Sequence, residues 1–315
     1  MVSPQPVTRF ISCDWGTSRL RLRLVEPAER RILLEHATDE GIQPLAREHP
    51  DPQGRGEFLA TVLERNLARL GDGMPSDLPV VISGMASSTL GWMSLPYARL
   101  PAPVDGHTLG FVDLQSRGRP VRIISGLQDD SDVMRGEETE LIGLFADPAR
   151  LALAEDCTVV LPGSHSKHVR VRQARIVGFS TFLTGELYAL LAQHSTLSTP
   201  GETVFDDAAF VAGVRASRTL GLSAALFQTR ARTVLGHLPA RHSRAFLSGV
   251  LIGAEVAGLA GNSPARIVLA AAEAFARPYA LALRELVPTV DMVPVAAADL
   301  AMAVVMGQAR ILALG

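Results

Sequence analysis

Two glycine turns, each rich in hydroxyl side chains, have the composition of phosphate-binding sites. A tight glycine turn exposes backbone N–H groups, and Ser or Thr adds hydroxyl donors, so the two together can bind an anion without net positive charge. A carboxylate such as Asp14 would repel a phosphate unless Mg²⁺ or its waters lie between them. We therefore interpret the first turn as a magnesium-nucleotide site with Asp14 at the metal, and the second as a direct phosphate site. The residues proposed for phosphate binding are Asp14, Gly16, Thr17, Ser18, Gly163, Ser164, His165 and Lys167.

The two turns occur in the same local pattern, which strengthens this interpretation. Asp-x-Gly-Thr alone is also a common β-hairpin turn, in which the Asp bonds its own backbone. Here each turn follows an apolar strand, Phe10 to Cys13 or Thr158 to Leu161, and precedes a strand in which Arg alternates with apolar residues. The copies lie nearly half a chain apart, which suits two similar lobes rather than a solenoid. We place these lobes at residues 1–148 and 149–315.

An acidic segment after the first lobe's last strand could supply a catalytic base. It contains Asp129, Asp130, Asp132, Glu137, Glu138 and Glu140. Phosphoryl transfer to a hydroxyl needs a carboxylate that accepts or orients the hydroxyl proton. The spacing predicts a helix over residues 137–145, and the helix dipole alone would also favour acids in its first turn. We expect Asp129 and Asp130 to be solvated. Both interpretations stay open for Asp132, Arg135, Glu137 and Glu138.

Composition narrows the function classes. The chain has 315 residues, 47% of them hydrophobic, which is enough for two cores. A formal net charge of −2 predicts no nucleic-acid partner and no acidic membrane surface. Cys13 and Cys157 form no metal or disulfide motif, and Met1 to Phe10 lacks a signal-peptide pattern, so we expect a cytoplasmic protein. The apolar stretch from Ala245 to Gly261 contains Glu255 and is too short for a membrane span.

These motifs resemble a known family. The residues from Asp14 to Arg21 resemble the first phosphate motif of the actin/hexokinase/Hsp70 superfamily, whereas no P-loop and no Rossmann glycine motif is present. Further blocks, in the family's order, are similar to 2-keto-3-deoxygalactonate kinases. They are Gly84 to Ser88 with Gly91-Trp92 and Pro96-Tyr97, Asp132 to Thr139, Leu161 to Lys167, and Thr184 to Leu187 with Gln193 to Ser195. The stretch from Ser248 to Glu255 and the C-terminal third fit more loosely.

The resemblance implies an α/β fold with two actin-like (ribonuclease H-like) lobes. Each would have a mixed five-stranded sheet flanked by helices, with ATP and Mg²⁺ in the cleft between the lobes. The superfamily's adenosine motif has a glycine ahead of a helix. The matching stretch here runs from Ile267 to Leu283, with Tyr279 in place and Ala271 where glycine is expected.

The resemblance also implies roles for individual side chains. Related sugar kinases place the catalytic carboxylate at a helix start shortly before the second phosphate motif, which points to Glu137 or Glu138, with Asp132 third. Arg135 could pair with a substrate carboxylate through two hydrogen bonds. The other residues expected at the sugar acid are Met85, Ser87, Ser88 and Trp92. As alternatives, the two serines could cap a helix, and Met85 and Trp92 could belong to the core.

The implied activity is phosphorylation of 2-keto-3-deoxygalactonate by ATP at the C6 hydroxyl. A kinase of a related keto-deoxy acid and an exopolyphosphatase-like phosphohydrolase on the same fold are alternatives, and a non-catalytic ATP switch ranks last. We expect a small sugar acid and ATP as ligands and no membrane or nucleic-acid partner. The oligomeric state stays open, with a homodimer as the candidate.

Overall fold

Two sheets with the same order of five central strands organise the chain. The computed structural model describes residues 8–71, 74–198, 201–261 and 264–314, so the N-terminal segment up to residue 7, assessed above for a signal peptide, lies outside the described residues. The strands are β1 (Phe10–Trp15), β2 (Leu20–Glu26), β3 (Arg31–Thr38), β4 (Val80–Gly84), β5 (Ala98–Arg99), β6 (Ala102–Pro103), β7 (Phe111–Ser116), β8 (Arg119–Ile124), β9 (Leu127–Gln128), β10 (Val133–Met134), β11 (Asp156–Leu161), β12 (Ser166–Arg172), β13 (Arg175–Phe182), β14 (Arg266–Leu269) and β15 (Asp291–Pro294).

Ten helices of the described residues accompany the strands. They are α1 (Ile42–Glu48), α2 (Arg55–Leu70), α3 (Glu137–Phe145), α4 (Pro148–Leu151), α5 (Thr184–His194), α6 (Asp207–Leu220), α7 (Leu222–Val234), α8 (Ser243–Gly261), α9 (Glu273–Leu286) and α10 (Ala297–Leu312). The predicted helix at residues 137–145 is present with those bounds.

The chain divides into two compact units. The first comprises Met1–Glu155, Arg172–Gly178 and Ala298–Gly315, and the second comprises Asp156–Val171 and Phe179–Ala297. The C-terminal residues therefore cluster with the first unit although they follow the second along the chain. The lobe boundary after residue 148 and the ATP cleft stay predictions.

The first unit is built on a mixed sheet with strand order β3-β2-β1-β4-β8-β7. Strand β1 is antiparallel to β2 and parallel to β4, and β4 is parallel to β8. The other sheet repeats the order in β13-β12-β11-β14-β15, with β11, β14 and β15 parallel. The actin-like, mixed α/β architecture is thus confirmed. The expected five strands are one too few, because β7 extends the first sheet and β6 pairs with the first residues of β13.

In strand β2 the alternating Leu and Arg residues do not separate fully into a buried face and a solvent face. Leu20 and Leu22 are fully buried, as their spacing predicts. Arg23, however, is only 2% exposed. Its Nε donates to the Glu35 carboxylate of β3 at 2.6 Å, whereas its Nη1 is buried without a hydrogen-bond partner among the described residues. A cross-strand ion pair offsets part of the cost of burying a guanidinium, so an Arg in a period-two pattern need not mark the solvent face.

Helix α3 packs directly against α10 within the first unit. A Cβ at Gly143 would lie 1.7 Å from the carbonyl oxygen of Ala303, and one at Gly307 would lie 1.9 Å from that of Thr139. Only glycine permits such close backbone approach. The C-terminal helix therefore fixes the position of α3, which carries the acidic residues.

The second unit has α8 as its core helix. Phe246, Val250 and Val256 of α8 are fully buried and pack in one hydrophobic cluster with residues of α6 and α9. The helical stretch Ala240–Ala260 is long and apolar enough to cross a membrane by length and composition, but 67% of its most apolar window is buried inside the protein. Burial in this core accounts for its apolar composition. Cys13 and Cys157 are both buried and free.

Candidate active site

Asp14 lies at one edge of the first unit's sheet, where parallel strands β1 and β4 end together. In the strand register Asp14 pairs with Ser83 and Trp15 with Gly84. Gly84 has φ +95°, and a Cβ there would lie 2.6 Å from the Trp15 carbonyl oxygen. Gly136, at the start of α3, packs against Gly84, since its own Cβ would lie 3.4 Å from the Gly84 Cα. The two glycines thus allow β1, β4 and α3 to meet at one point.

Gln308 of α10 connects the ends of β1 and β4 through hydrogen bonds. Its Nε2 donates to the Cys13 carbonyl oxygen at 3.0 Å and lies 2.9 Å from Ser83 Oγ. The side chain is fully buried, so these hydrogen bonds replace water that it would otherwise contact. Nothing in the sequence pattern marks Gln308, because its partners are distant along the chain.

The first glycine turn is a hairpin turn held by backbone hydrogen bonds. The Gly16 amide donates to the Arg19 carbonyl oxygen at 2.9 Å. The amides of Ile42 and Gln43 donate to the carbonyl oxygens of Gly16 and Thr17, each at 3.0 Å, so the start of α1 supports the turn. The Gly16 amide is thus used within the hairpin turn, as the hairpin interpretation of this motif predicts. A ligand would have to use the amides or hydroxyls of Thr17 and Ser18.

The carboxyl group of Asp14 is influenced by charges of both signs. Its side chain is 34% exposed, and the nearest cation is Arg21, with Nη1 4.0 Å from Asp14 Oδ2. Partial desolvation raises the pKa of Asp14, Arg21 and Arg23 oppose this rise, and the Glu137 carboxylate adds to it. Asp14 and Glu137 are therefore close enough to interact electrostatically.

Helix α3 presents three glutamates in its first turn, and they differ in environment. Glu138 is fully buried and accepts the Gly136 amide at 2.8 and 2.9 Å and the Thr139 hydroxyl at 3.1 Å. Burial and the neighbouring Glu137 raise the pKa of Glu138 to about 8. Desolvation, with Glu137 next, raises the pKa of Glu140 to about 8 as well. Glu137 is partly exposed and accepts the Arg135 amide at 3.0 Å.

Of the three candidate bases, Glu137 is the one with an accessible carboxylate beside Asp14. Glu138 is a buried acceptor for the backbone. Asp132 accepts the Val133 amide at 2.7 Å and donates its own amide to Asp129, so it structures the loop before β10. Glu140 belongs electrostatically to the same cluster, and sequence reasoning left it out of the site. Its spacing of three residues from Glu137 on a helix was the available signal.

Arg135 lies between Ser87 and Tyr97. Its Nη1 donates to the Ser87 carbonyl oxygen at 2.7 Å and to Ser87 Oγ at 2.5 Å, and its guanidinium carbon is 4.1 Å from the Tyr97 ring centroid. The Arg135 Nε is buried, with no hydrogen-bond partner among the described residues. Ser87 therefore uses one nitrogen of the guanidinium and Tyr97 covers one of its faces. The other N–H groups remain for a ligand. Tyr97 is a site residue that sequence reasoning did not single out.

The remaining predicted sugar-acid residues have evident packing roles. Ser88 Oγ donates to the Met85 carbonyl oxygen at 2.7 Å and thereby caps the short turn after β4. Trp92 packs edge-on against Trp15 at 6.5 Å between ring centroids, and both Trp92 and Met85 pack against the first core. Met85 and Trp92 are only partly buried, so part of each side chain remains accessible.

The second glycine turn is held by side chains and by the start of α5. The Gly163 amide donates to Ser166 Oγ at 3.4 Å, and the Glu186 amide donates to the Ser164 carbonyl oxygen at 3.0 Å. His165 Nε2 lies 2.5 Å from Glu186 Oε2, and Lys167, 4% exposed, donates to the His165 carbonyl oxygen at 3.1 Å. Among the described residues, no acceptor takes the amides of Ser164 and His165.

A cavity of about 480 Å³ opens beside this turn, within the second unit. Gly163 and Ser164 line one part of it, and aromatic and apolar side chains line much of the rest. A largely apolar pocket with a few convergent polar groups is the usual form of a small-molecule site. The aromatic and basic wall residues that sequence reasoning missed are Tyr188, Phe205, Arg244 and Phe275. Ala271 is buried in the core at 2% exposure, and the cavity wall from this region comes from α9.

The strand order of both sheets and the glycine turn after the first strand of each unit define an α/β protein with an actin-like fold. The chain belongs to the 2-keto-3-deoxy-galactonokinase family, whose family model matches residues 14–306. The family resemblance inferred from the motifs is thereby confirmed.

Two curated relatives and one solved structure show the similarity in detail. The chain is 36% identical over 270 residues to "Probable 2-dehydro-3-deoxygalactonokinase DgoK1" of Rhizobium meliloti (strain 1021), covering 80% of this chain and 81% of that protein. It is 38% identical over 259 residues to the 2-dehydro-3-deoxygalactonokinase of Escherichia coli (strain K12), with 80% of each covered. A crystal structure from Sinorhizobium meliloti assigned to the same kinase has a TM-score of 0.79 at 33% identity, covering 95% of this chain and 94% of that one.

Proposed function

We propose that this chain phosphorylates 2-keto-3-deoxygalactonate at its C6 hydroxyl with ATP, giving the 6-phosphate and ADP. The proposal rests on the family and on one structural observation. Asp14, Glu137 and Arg135 are brought to one edge of the first sheet by β1 and by the start of α3. A metal-binding acid, a candidate base and a cation for a substrate carboxylate are the groups that such a reaction requires.

Glu137 is the proposed base. Its carboxylate would accept or orient the proton of the C6 hydroxyl as that oxygen attacks the γ-phosphorus and the bond to the β-phosphate oxygen breaks. Glu138 cannot easily take this role, because its oxygens are already occupied by the Gly136 amide and the Thr139 hydroxyl. Asp132 is set aside because it lies in the loop before β10, and Glu137 is the carboxylate that acts on the pKa of Asp14.

Arg135 is the proposed partner of the substrate carboxylate. Its Nη1 is used by Ser87, whereas its Nε is desolvated and has no partner among the described residues. A buried donor without a partner costs free energy that an incoming carboxylate would recover. Met85, Ser87, Ser88 and Trp92 are proposed to form the adjoining wall for the sugar-acid hydroxyls and carbon chain.

The nucleotide is proposed to bind in the second unit, with its adenosine in the cavity and phosphate at the second glycine turn; the first glycine turn is proposed as the phosphate site of the first unit. The aromatic side chains of Phe205 and Phe275 offer flat apolar surface for a base. The donors of the second turn are the amides of Ser164 and His165, and those of the first are Thr17 and Ser18. Gly16, Gly163 and Lys167 act by shaping the turns, given that Gly16 and Gly163 donate within them. Ala271 supports the adenosine region from the core.

Mg²⁺ is proposed to bind in the first unit through a carboxylate, because hard oxygen ligands suit this ion. Among the described residues no group of three or more acids, His or Cys could hold a metal by itself, so waters and nucleotide oxygens would have to supply the other ligands. Asp14 is the residue proposed to hold Mg²⁺, directly or through water. When bound, the ion would neutralise charge on the β- and γ-phosphates.

A coupled assay over a panel of sugar acids tests the proposal. We expect ADP release that depends on an added keto-deoxy acid, with the galactonate derivative preferred over the gluconate derivative. ATP hydrolysis that proceeds equally without acceptor would favour a phosphohydrolase instead. Preference for another keto-deoxy acid would keep the reaction and change the substrate.

Two further properties are part of the proposal. We infer a cytoplasmic location and a homodimer, and light scattering on the purified chain measures the second. A mass equal to one chain of 33.6 kDa would contradict the dimer and leave the reaction unaffected.

A further inference from the structure

A chain of buried polar side chains runs beneath the second glycine turn. Ser166 Oγ lies 2.8 Å from Tyr279 Oη, and Tyr279 Oη donates to Glu255 Oε2 at 2.7 Å. The other carboxyl oxygen of Glu255 lies 2.9 Å from His168 Nε2. All four residues are at most 6% exposed, and they come from β12, α8 and α9.

The hydrogen bonds in this chain have a defined direction. Because Tyr279 donates its one hydroxyl hydrogen to Glu255, the Ser166 hydroxyl must donate to Tyr279. The Ser166 oxygen is then left to accept the Gly163 amide, 3.4 Å away. Burial and the adjacent Glu255 raise the pKa of Tyr279, so the phenol keeps its proton and remains a donor. Donation therefore runs from Gly163 through Ser166 and Tyr279 to Glu255.

Glu255 is a buried carboxyl group on a largely apolar helix, and its burial has to be offset by some other contribution. Glu255 is 3% exposed on α8, where desolvating it is costly unless both oxygens are hydrogen-bonded. An apolar residue of similar size could fill the space without that cost. What the carboxyl group adds is a fixed orientation for Tyr279, and through Tyr279 for Ser166.

We propose that Glu255 and Tyr279 are positioning residues that hold the second glycine turn in the conformation that binds nucleotide phosphate. Tyr279 is also close to the turn in a second way, because its side chain lines the cavity beside Gly163 and Ser164. With the Gly163 amide drawn to Ser166, the amides of Ser164 and His165 are the ones left for an anion. The inference rests on the proposed function, because it takes that turn as the phosphate site.

Three variants of the full chain test the inference. Tyr279→Phe removes the hydroxyl that links Ser166 to Glu255. Glu255→Met removes both acceptor oxygens of Glu255 while keeping a side chain of similar length. Thr229→Val is the matched control, because Thr229 is also buried in the second unit and its hydroxyl has no hydrogen-bond partner among the described residues. The dissociation constant of ADP is measured by calorimetry, and the KM values for ATP and for the sugar acid are measured in the coupled assay.

We expect Tyr279→Phe and Glu255→Met to weaken ADP binding and raise the KM for ATP by about tenfold, as loss of one buried hydrogen bond predicts. The KM for the sugar acid should stay unchanged, and Thr229→Val should match the wild type in all three constants. A purely structural role would lower the melting temperature without separating the two KM values.

The outcomes separate the two proposals. If both network variants bind ADP as tightly as Thr229→Val does, the positioning role is wrong, whatever happens to the melting temperature. If the wild type binds ADP but phosphorylates no keto-deoxy acid, the proposed function fails while the positioning role is still decided by the ADP constants. A wild type that binds no ADP would overturn both.

Discussion

The two glycine turns occupy the same place in equivalent sheets but are supported in different ways. Backbone hydrogen bonds hold the first turn, through the Gly16 amide and the start of α1. A side-chain hydroxyl holds the second, through Ser166 and the buried residues behind it. The strand order fixes where a turn lies, and the surrounding side chains decide what chemistry it can perform.

The two glycine turns also differ in the charged groups that lie near them. Beside the first turn, desolvation and the neighbouring Glu137 carboxylate raise the pKa values of Asp14 and Glu140, and Arg21 and Arg23 oppose the rise at Asp14. The second turn has His165 and Lys167 within it and an aromatic cavity beside it. A metal ion suits the first setting, whereas a phosphate and a base suit the second. Changes to the carboxyl groups of the first unit should therefore alter catalysis and metal dependence and leave ADP binding without metal unchanged.

The largest effect is expected for Glu137→Gln. An amide cannot accept the hydroxyl proton, so we expect kcat to fall by about 10³-fold, within the range of general-base catalysis. Single-turnover measurements with saturating ATP and sugar acid determine this rate. Glu138→Gln is the matched control and should keep kcat within about threefold, because an amide oxygen can still accept the Gly136 amide. Equal losses in the two variants would contradict the assignment of the base.

The acidic half of the site was largely predictable from sequence. Helix α3 has its predicted bounds because Gly136 precedes a run with helical spacing and acids in its first turn. The order Asp14, Gly16, Thr17 marked the end of β1. In each case the signal lies within a few neighbouring residues, where propensity and turn chemistry operate.

What the sequence could not show depends on distant partners. Helix α1 is short and has no capping side chain, so nothing local indicates that it supports the first turn. Tyr97 gains its role only by lying under Arg135, and Phe205 and Phe275 meet only across the cavity. The contact of Gly307 with Thr139 brings the C-terminal helix back to the first unit. Such placements follow from packing of the whole core.

The next largest effect is expected for Asp14→Asn. Loss of the carboxylate weakens the hold on Mg²⁺, so kcat/KM should fall by about 10²-fold and the half-saturating Mg²⁺ concentration should rise. A Mg²⁺ titration of the rate at fixed ATP measures the shift. Asp39→Asn, at an exposed residue that pairs with Arg19 beside the same hairpin, is the control. An unchanged Mg²⁺ dependence in Asp14→Asn would remove Asp14 from the metal site.

A smaller and more selective effect is expected for Arg135→Lys. Lysine keeps the charge but loses the planar fork, so the KM for the sugar acid should rise about tenfold while the KM for ATP stays constant. Steady-state kinetics with each substrate varied in turn provide the comparison. The control is Arg99→Lys, because Arg99 is 77% exposed and pairs only loosely with Asp130 at 3.7 Å. A rise in both KM values would indicate a general disturbance of the first unit.

The smallest effect concerns stability and has a definite sign. The fold raises the pKa of Glu138 and of Glu140 from the ordinary 4.5 to about 8. The folded state therefore binds more protons than the unfolded state between these values. Stability without metal should be greatest below pH 4.5 as far as these groups are concerned, and should be lost as the pH rises to about 8.

Thermal unfolding from pH 5 to pH 9 measures this loss as a fall in the melting temperature. Glu138→Gln should flatten the profile, because a neutral amide replaces the acid that the fold prefers protonated, and its melting temperature at pH 8 should exceed that of the wild type by several degrees. Mg²⁺ should reduce the difference by stabilising the carboxylates. A wild-type profile that rises between pH 5 and pH 8 would mean that these acids are stabilised in their charged form, and the first turn would then no longer differ electrostatically from the second in the way that the metal assignment requires.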